Sequence, residues 1–379
     1  IFMPRGFCLP RRKSYNLDKF SLRGSVYKIM QKILIVHTGG GLGDVLLSTP
    51  VIEALKFNYP EAEIDFLARS STAAAIKNNP FLHTVYTIDK ARLSWSEVFS
   101  WSGKITEQKY DAALILWSNT PLALMLYLAH IPIRVGQDSR FSYSWTYTHK
   151  VRIRSEHGDE QSHWSDIMLD FVRALRLPVP PFKPRFVISE SALTQAKQLM
   201  QALPQNSGPI IGLHPSKGIS DVDKRWPISV FAAWLKALYH QLQARLVITG
   251  GPQELGITTE IIKLAQVPCL NLAGKTDTEV LAAVAQQCQV FICPDSGPAH
   301  LAAISGVPTL DICALKEDFP NRWKPVGAPV KIIRPTSWQC QRLCRKNECP
   351  DFSCYKQIDS QQIVEGVKQL LKSDGQAES

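Results

Sequence analysis

The chain has 379 residues, 45% hydrophobic and 20% charged, an ordinary globular composition and a length that suggests two domains, each able to bury a core. No uninterrupted apolar run reaches the ~18 residues of a membrane-spanning helix. The net charge of +10 is unevenly placed, since residues 1–31 hold seven Lys or Arg against the single acid Asp18; a nucleic-acid protein carries its bases in stripes on the folded body, so no nucleic-acid partner is expected.

Residues 1–30 read as a basic tail outside the fold. They lack the apolar core of a signal peptide, and Met30, just before the first strand, is the expected biological start. The tail is then an upstream translation artefact or an arm able to touch anionic lipid. Without a secretion signal, a reducing cytoplasm is the default location.

Residues 31–177 form the first predicted domain. Lys32 to His37 is a β-branched apolar run, the pattern of a buried parallel strand. It enters Thr38-Gly39-Gly40-Gly41-Leu42-Gly43-Asp44, after which apolar residues from Val45 to Leu55 follow helical spacing. Strand, glycine-rich turn and helix is the order of a nucleotide or phosphate site. The turn lacks the third glycine of the dinucleotide fingerprint and the Gly-Lys-Ser/Thr of a Walker loop, so its glycines read as room for a sugar beside the backbone. Asp44 reads either as an N-cap or as a carboxylate aimed into a cleft, available as a general base.

Strands follow at 63–68, 84–88 and 112–117, with helices at 72–78, 94–108 and 121–129. This βαβ alternation predicts a parallel, doubly wound sheet. Residues 130–154 read as irregular and mix bases with aromatics, among them Arg134, Arg140, Phe141, Trp145 and Lys150. They are either a solvated loop region or a surface for a phosphorylated acceptor. A further helix is expected from His163 to Leu175.

Four prolines between Leu177 and Pro184 suit neither a helix interior nor a central strand. They place a stiff linker at 178–186. The second domain is expected at 187–357, and a terminal helix and tail at 358–379. A second βαβ series runs through the second domain, with strands at 209–214, 245–249, 290–293 and 309–313 and helices at 191–203, 227–242 and 277–287. Its strand-end loops, after His214, Thr249, Ala273 and Cys293, emerge at one sheet edge. They gather Ser216, Lys224, Glu254 and the stretch Pro294-Asp295-Ser296-Gly297-Pro298-Ala299-His300. In that stretch Asp295 and Ser296 are expected to cap a helix whose first N–H groups face an anion, with His300 projecting toward it.

Two Rossmann-like halves joined by a proline-rich linker resemble a GT-B glycosyltransferase. The ordered motifs Gly43-Asp44, Thr49-Pro50, Asp223-Lys224-Arg225-Trp226-Pro227, Gly251-Pro252-Gln253-Glu254 and Asp295-Ser296-Gly297-Pro298-Ala299-His300 resemble the family 9 glycosyltransferases, the ADP-heptose:lipopolysaccharide heptosyltransferases. The resemblance spans roughly residues 31–372. It implies inverting transfer of heptose from ADP-heptose to the phosphorylated lipid A-core of lipopolysaccharide, with two catalytic residues, Asp44 as general base and Lys224 offsetting charge on the departing ADP. It also implies a nucleotide-sugar site of Ser216, Lys224, Glu254, Asp295, Ser296, Gly297 and His300, with Gly41, Gly43, Arg69 and Arg140 on the acceptor side. No cofactor or divalent metal is expected, and any contact with the inner membrane would be peripheral. The run Gly39-Gly40-Gly41 departs from the bulkier residues usual in the family, which bears on the donor sugar and the acceptor.

Cys340, Cys344, Cys349 and Cys354 are spaced C-x3-C-x4-C-x4-C and lack the C-x2-C knuckle of a zinc site. Similar clusters occur in some family members, but thiols in a tight loop are expected here. The alternative readings are a nucleotide-sugar epimerase of GT-B fold and a basic nucleic-acid-binding module.

Overall fold

A computed structural model describes residues 30–90, 93–216, 227–338, 340, 344 and 349–374. The chain forms two six-stranded parallel sheets flanked by helices. The first contains β1 (Lys32–His37), β2 (Glu63–Arg69), β3 (Thr84–Ile88), β4 (Ala112–Trp117), β5 (Ile133–Gln137) and β6 (His149–Val151), in the order β3-β2-β1-β4-β5-β6. The second contains β7 (Ile210–Leu213), β8 (Arg245–Ile248), β9 (Cys269–Asn271), β10 (Val290–Pro294), β11 (Thr309–Ile312) and β12 (Val330–Ile333), in the order β12-β11-β10-β7-β8-β9. This is the two-sheet GT-B class expected from the sequence. The winding reverses between β1 and β4 in one sheet and between β10 and β7 in the other, so each has a crevice at the carboxyl ends of those strands.

In the first half the helices are α1 (Leu42–Ser48), α2 (Pro50–Asn58), α3 (Trp95–Gln108), α4 (Thr120–Leu128), α5 (Trp164–Met168) and α6 (Asp170–Arg173). The second half adds α7 (Glu190–Met200), α8 (Ile228–Leu242), α9 (Leu255–Ala265), α10 (Thr278–Ala285), α11 (Gly297–Ile304), α12 (Pro320–Trp323) and α13 (Ser360–Asp374). Several helix starts follow local chemistry. Ser94 and Glu97 close a reciprocal capping box on α3, the Glu97 carboxylate accepting the Ser94 N–H at 2.7 Å. Asn119, Ser189 and Asp277 accept backbone N–H groups at the starts of α4, α7 and α10.

Three expectations differ from the structure. The helix predicted over 72–78 is a single 3-10 turn, Ala73–Ala75, because Pro80 follows closely. The helix predicted from His163 to Leu175 breaks at Leu169 into α5 and α6, where the Arg173 guanidinium takes the Asp166 carbonyl at 2.9 Å. The irregular region 130–154 contains β5 and β6, which complete the first sheet.

The two halves share packing. Ala282 and Leu301 of the second half are buried in the same apolar cluster as Val45, Leu46 and Phe66 of the first. The proline-rich segment lies along the first half, where Val179, Phe182 and Phe186 join this cluster. Asn58 donates to the Pro178 carbonyl at 2.9 Å and Arg185 pairs with Glu53 at 2.6 Å.

Candidate active site

The glycine turn after β1 is fixed by the carboxylate it carries. Gly40 has φ +62°, and a Cβ there would stand 2.5 Å from Asp44 Cγ, so no other residue fits without displacing Asp44. Asp44 is the third residue of α1, with Gly41 as N-cap, so it is not the N-cap that the sequence permitted. Its Oδ2 reaches back to accept the Gly41 N–H at 2.6 Å. Burial raises its pKa above the ordinary carboxylate value; the Gly41 N–H and Arg69 pull it back, and Asp295 across the cleft pushes it up. The Arg69 guanidinium donates to the Gly40 carbonyl, which holds the turn in place.

The second half presents the opposing turn. Ser296 is the N-cap of α11, yet its hydroxyl donates to the Pro294 carbonyl at 2.8 Å and makes no cap bond. The side-chain cap expected of Ser296 is therefore not made, because the serine is claimed by the strand behind it. His300 is buried, and burial lowers its pKa to about 4, so the imidazole is neutral at physiological pH. Its Nδ1 is buried without a hydrogen-bond partner among the described residues. The ring lies on the first half: a Cβ at Gly43 would stand 2.7 Å from His300 Cδ2. Gly297 in turn sits where a Cβ would approach Leu42 Cβ at 3.1 Å. The N-termini of α1 and α11 thus meet glycine against glycine.

Glu254 repeats the Asp44 arrangement in the second half, its Oε2 accepting the Gly251 N–H at 2.6 Å. His214, at the end of β7, stands 3.8 Å from that carboxylate and 3.1 Å from the Thr249 hydroxyl. Its burial lowers its pKa. Ser216 is buried, and its carbonyl lies 3.5 Å from the Ser296 hydroxyl.

Between the turns lies a cleft of about 580 Å³, lined by Gly41, Gly43 and Asp44 from one half and Glu254, Asp295, Ser296, Gly297 and His300 from the other. The structure therefore gathers eight of the predicted residues into one space. Sequence reasoning missed His214, Glu317, Asp318, Phe319 and Trp323, which also line it. Arg140 faces a second cavity of about 350 Å³, bounded by Trp117, Tyr143 and Trp164, and pairs there with Glu156 at 2.5 Å. Lys224 lies outside the described residues. Cys344, Cys349 and Cys354 pack into the second core, and among the described residues no group of three or more His, Cys, Asp or Glu is arranged to hold a metal ion.

One wall of the cleft is clasped to the opposite half. Trp323 stacks on Trp164 with ring centroids 4.8 Å apart. Arg322 donates to the carbonyls of Ser162, at 2.9 Å, and Asp159, and His163 Nε2 meets the Lys324 carbonyl at 2.9 Å. An aromatic pair of this kind is worth about 1 kcal/mol, roughly fivefold in a two-state equilibrium. Trp323→Ala is expected to weaken ligand binding in the cleft by about that factor with little loss of Tm; unchanged affinity in titration would uncouple the clasp from binding.

Residues 98–352 match the family model of glycosyltransferase family 9 (heptosyltransferase). Lipopolysaccharide heptosyltransferase 3 of Escherichia coli is 29% identical over 298 residues, 75% of this chain and 83% of the relative. A family 9 glycosyl transferase from Veillonella parvula superposes with a TM-score of 0.74 at 20% identity, over 90% of this chain and 97% of the other. The ADP-heptose lps heptosyltransferase II of E. coli superposes with a TM-score of 0.73 at 22% identity, over 91% and 100%.

Proposed function

Because the chain belongs to glycosyltransferase family 9, we propose that it is an inverting heptosyltransferase that moves heptose from ADP-heptose to the inner core of lipopolysaccharide. Membership in this family sets aside the epimerase and the nucleic-acid-binding module. The observation that carries the proposal is the meeting of the Asp44 turn and the Gly297 turn across one cleft.

Asp44 takes the proton of the acceptor hydroxyl. The acceptor oxygen bonds to the heptose anomeric carbon as the bond from that carbon to the diphosphate oxygen breaks, and the electron pair leaves on ADP. A carboxylate whose pKa is raised by burial is better matched to a hydroxyl proton than an exposed one. The departing diphosphate meets the N-terminus of α11, where backbone N–H groups and the helix dipole favour negative charge. Lys224 would offset the charge on the departing ADP. Glu254 holds the ribose hydroxyls. Arg69 orders the base-bearing turn, and Arg140 with its neighbouring cavity receives a phosphorylated part of the acceptor.

This division leaves no step that requires a divalent cation, and transfer is proposed to proceed without one. Incubating the full chain with ADP-heptose and heptose-deficient core acceptor in EDTA should release ADP in step with acceptor glycosylation. Loss of transfer restored by magnesium would overturn the metal-free reading, and no transfer under either condition would overturn the activity. The proposed acceptor is lipid-linked, so we propose that transfer takes place at the cytoplasmic face of the inner membrane. Among the described residues no helix is long and apolar enough to cross a membrane.

A further inference from the structure

We infer that the outer face of α3, α4 and the turn at 141–145 is a docking surface for an anionic phospholipid bilayer. The inference rests on the proposed lipid-linked acceptor and locates the side of the molecule that meets the membrane.

The residues at this face are out of place in water. Helix α4 contains eight successive uncharged residues, Pro121 to Leu128, and only part of its surface is covered. Tyr127 and Leu128 stay exposed. An apolar helix that keeps an open side needs a partner on that side. Trp95 and Phe99 are about 60% exposed on α3, at 61% and 62%, one turn apart. Phe141 is fully exposed and Trp145 is 57% exposed.

These side chains belong to one face. Ser102 of α3 donates to the Met125 carbonyl of α4 at 3.0 Å. Tyr127 and Trp145 meet edge to face at 5.2 Å, and the Thr120 hydroxyl donates to Ser142 at 3.3 Å. Six large apolar side chains on three adjoining segments are more than the scattered exposed residues normal for a soluble surface.

The charge around the face selects the occupant. Residues 95–152, which include α3, contain six bases, Lys104, Lys109, Arg134, Arg140, Lys150 and Arg152, against four acids, Glu97, Glu107, Asp111 and Asp138. The Arg134 guanidinium lies 5.4 Å from the centre of the Tyr127 ring, so a cation stands beside the aromatic pair. Tyrosine and tryptophan with adjoining bases suit the interface of a negatively charged leaflet. The face also borders the second cavity, through Arg140 and Tyr143, so a bound bilayer would sit beside the acceptor side of the cleft.

Co-sedimentation of the full chain tests the inference, with vesicles of phosphatidylethanolamine and phosphatidylglycerol against vesicles of phosphatidylcholine alone. The wild type should pellet with the anionic vesicles and be weakened by salt. Tyr127→Ser/Phe141→Ser/Trp145→Ser should bind about tenfold less. A second variant, Trp95→Ser/Phe99→Ser, should weaken binding in the same direction. Transfer to a deacylated, water-soluble core acceptor should be unchanged in both, while transfer to vesicle-borne acceptor falls. Wild type that ignores anionic vesicles, or variants that bind as well as wild type, overturns the inference. So does sedimentation velocity showing that the variants only dissociate a dimer with vesicle binding intact. Loss of vesicle binding in a protein whose wild type glycosylates neither acceptor would keep the surface and discard the heptosyltransferase reading.

Discussion

Asp44→Asn is expected to lower kcat by about 10²- to 10⁴-fold, the range contributed by a positioned general base, and to leave ADP binding nearly unchanged. The asparagine has almost the same shape, and its side-chain carbonyl oxygen can still accept the Gly41 N–H that Asp44 accepts at 2.6 Å. The start of α1 therefore stays formed, and only the proton-accepting capacity is lost. The same residue sets the acid limb of the pH profile. The base must be deprotonated to act, so kcat/KM rises with pH through its pKa and falls below it. Burial and the Asp295 charge raise that pKa above 3.8, so the limb should lie above the ordinary carboxylate value. Retention of most of the turnover by the asparagine variant, measured with saturating donor, would remove Asp44 from the chemistry.

Gly43→Val should cost about 10²-fold in kcat/KM while the second half goes on binding ADP. The reason is geometric. A single Cβ at this position already stands 2.7 Å from His300 Cδ2 and 3.6 Å from Gly297 Cα. His300 is buried against the turn, so the clash is relieved by parting α1 from α11. A displacement of about 1 Å between reacting groups is enough for an effect of this size. Overpacking in the contact should destabilise the chain by about 1–3 kcal/mol, a modest fall in Tm that separates it from unfolding. Full activity in Gly43→Val, with Tm unchanged, would show that the two helix starts need not touch during turnover.

Much of this site was legible in the sequence because its carriers are local. A continuous apolar run followed by glycines and then helical spacing marks the end of a parallel strand, and this located Asp44 and the stretch from Asp295 to His300. The helices expected from 94 and 277 do begin there, at the capping side chains Ser94 and Asp277. What escaped is non-local or weakly patterned. Ile133-Arg134-Val135-Gly136-Gln137 forms β5 although an arginine and a glycine interrupt its apolar pattern, and β6 has only three residues, His149–Val151. Trp323 lines the cleft through a stack on Trp164, 159 positions earlier in the chain, a contact no spacing rule expresses. His214 lines the cleft at the end of a strand, where a lone histidine carries no pattern of its own. The gathering of Asp44 and Glu254 into one space followed from the family resemblance, because periodicity alone does not say how two sheets face each other.

The central claim is that the cleft between the halves receives an adenine nucleotide-sugar, and calorimetric titration of the full chain in EDTA tests it most directly. ADP and ADP-heptose should bind and UDP-sugars should not, and Glu254→Ala should weaken the adenine ligands by removing the ribose contact. Preference for UDP-sugars, or no nucleotide binding at all, would contradict the account.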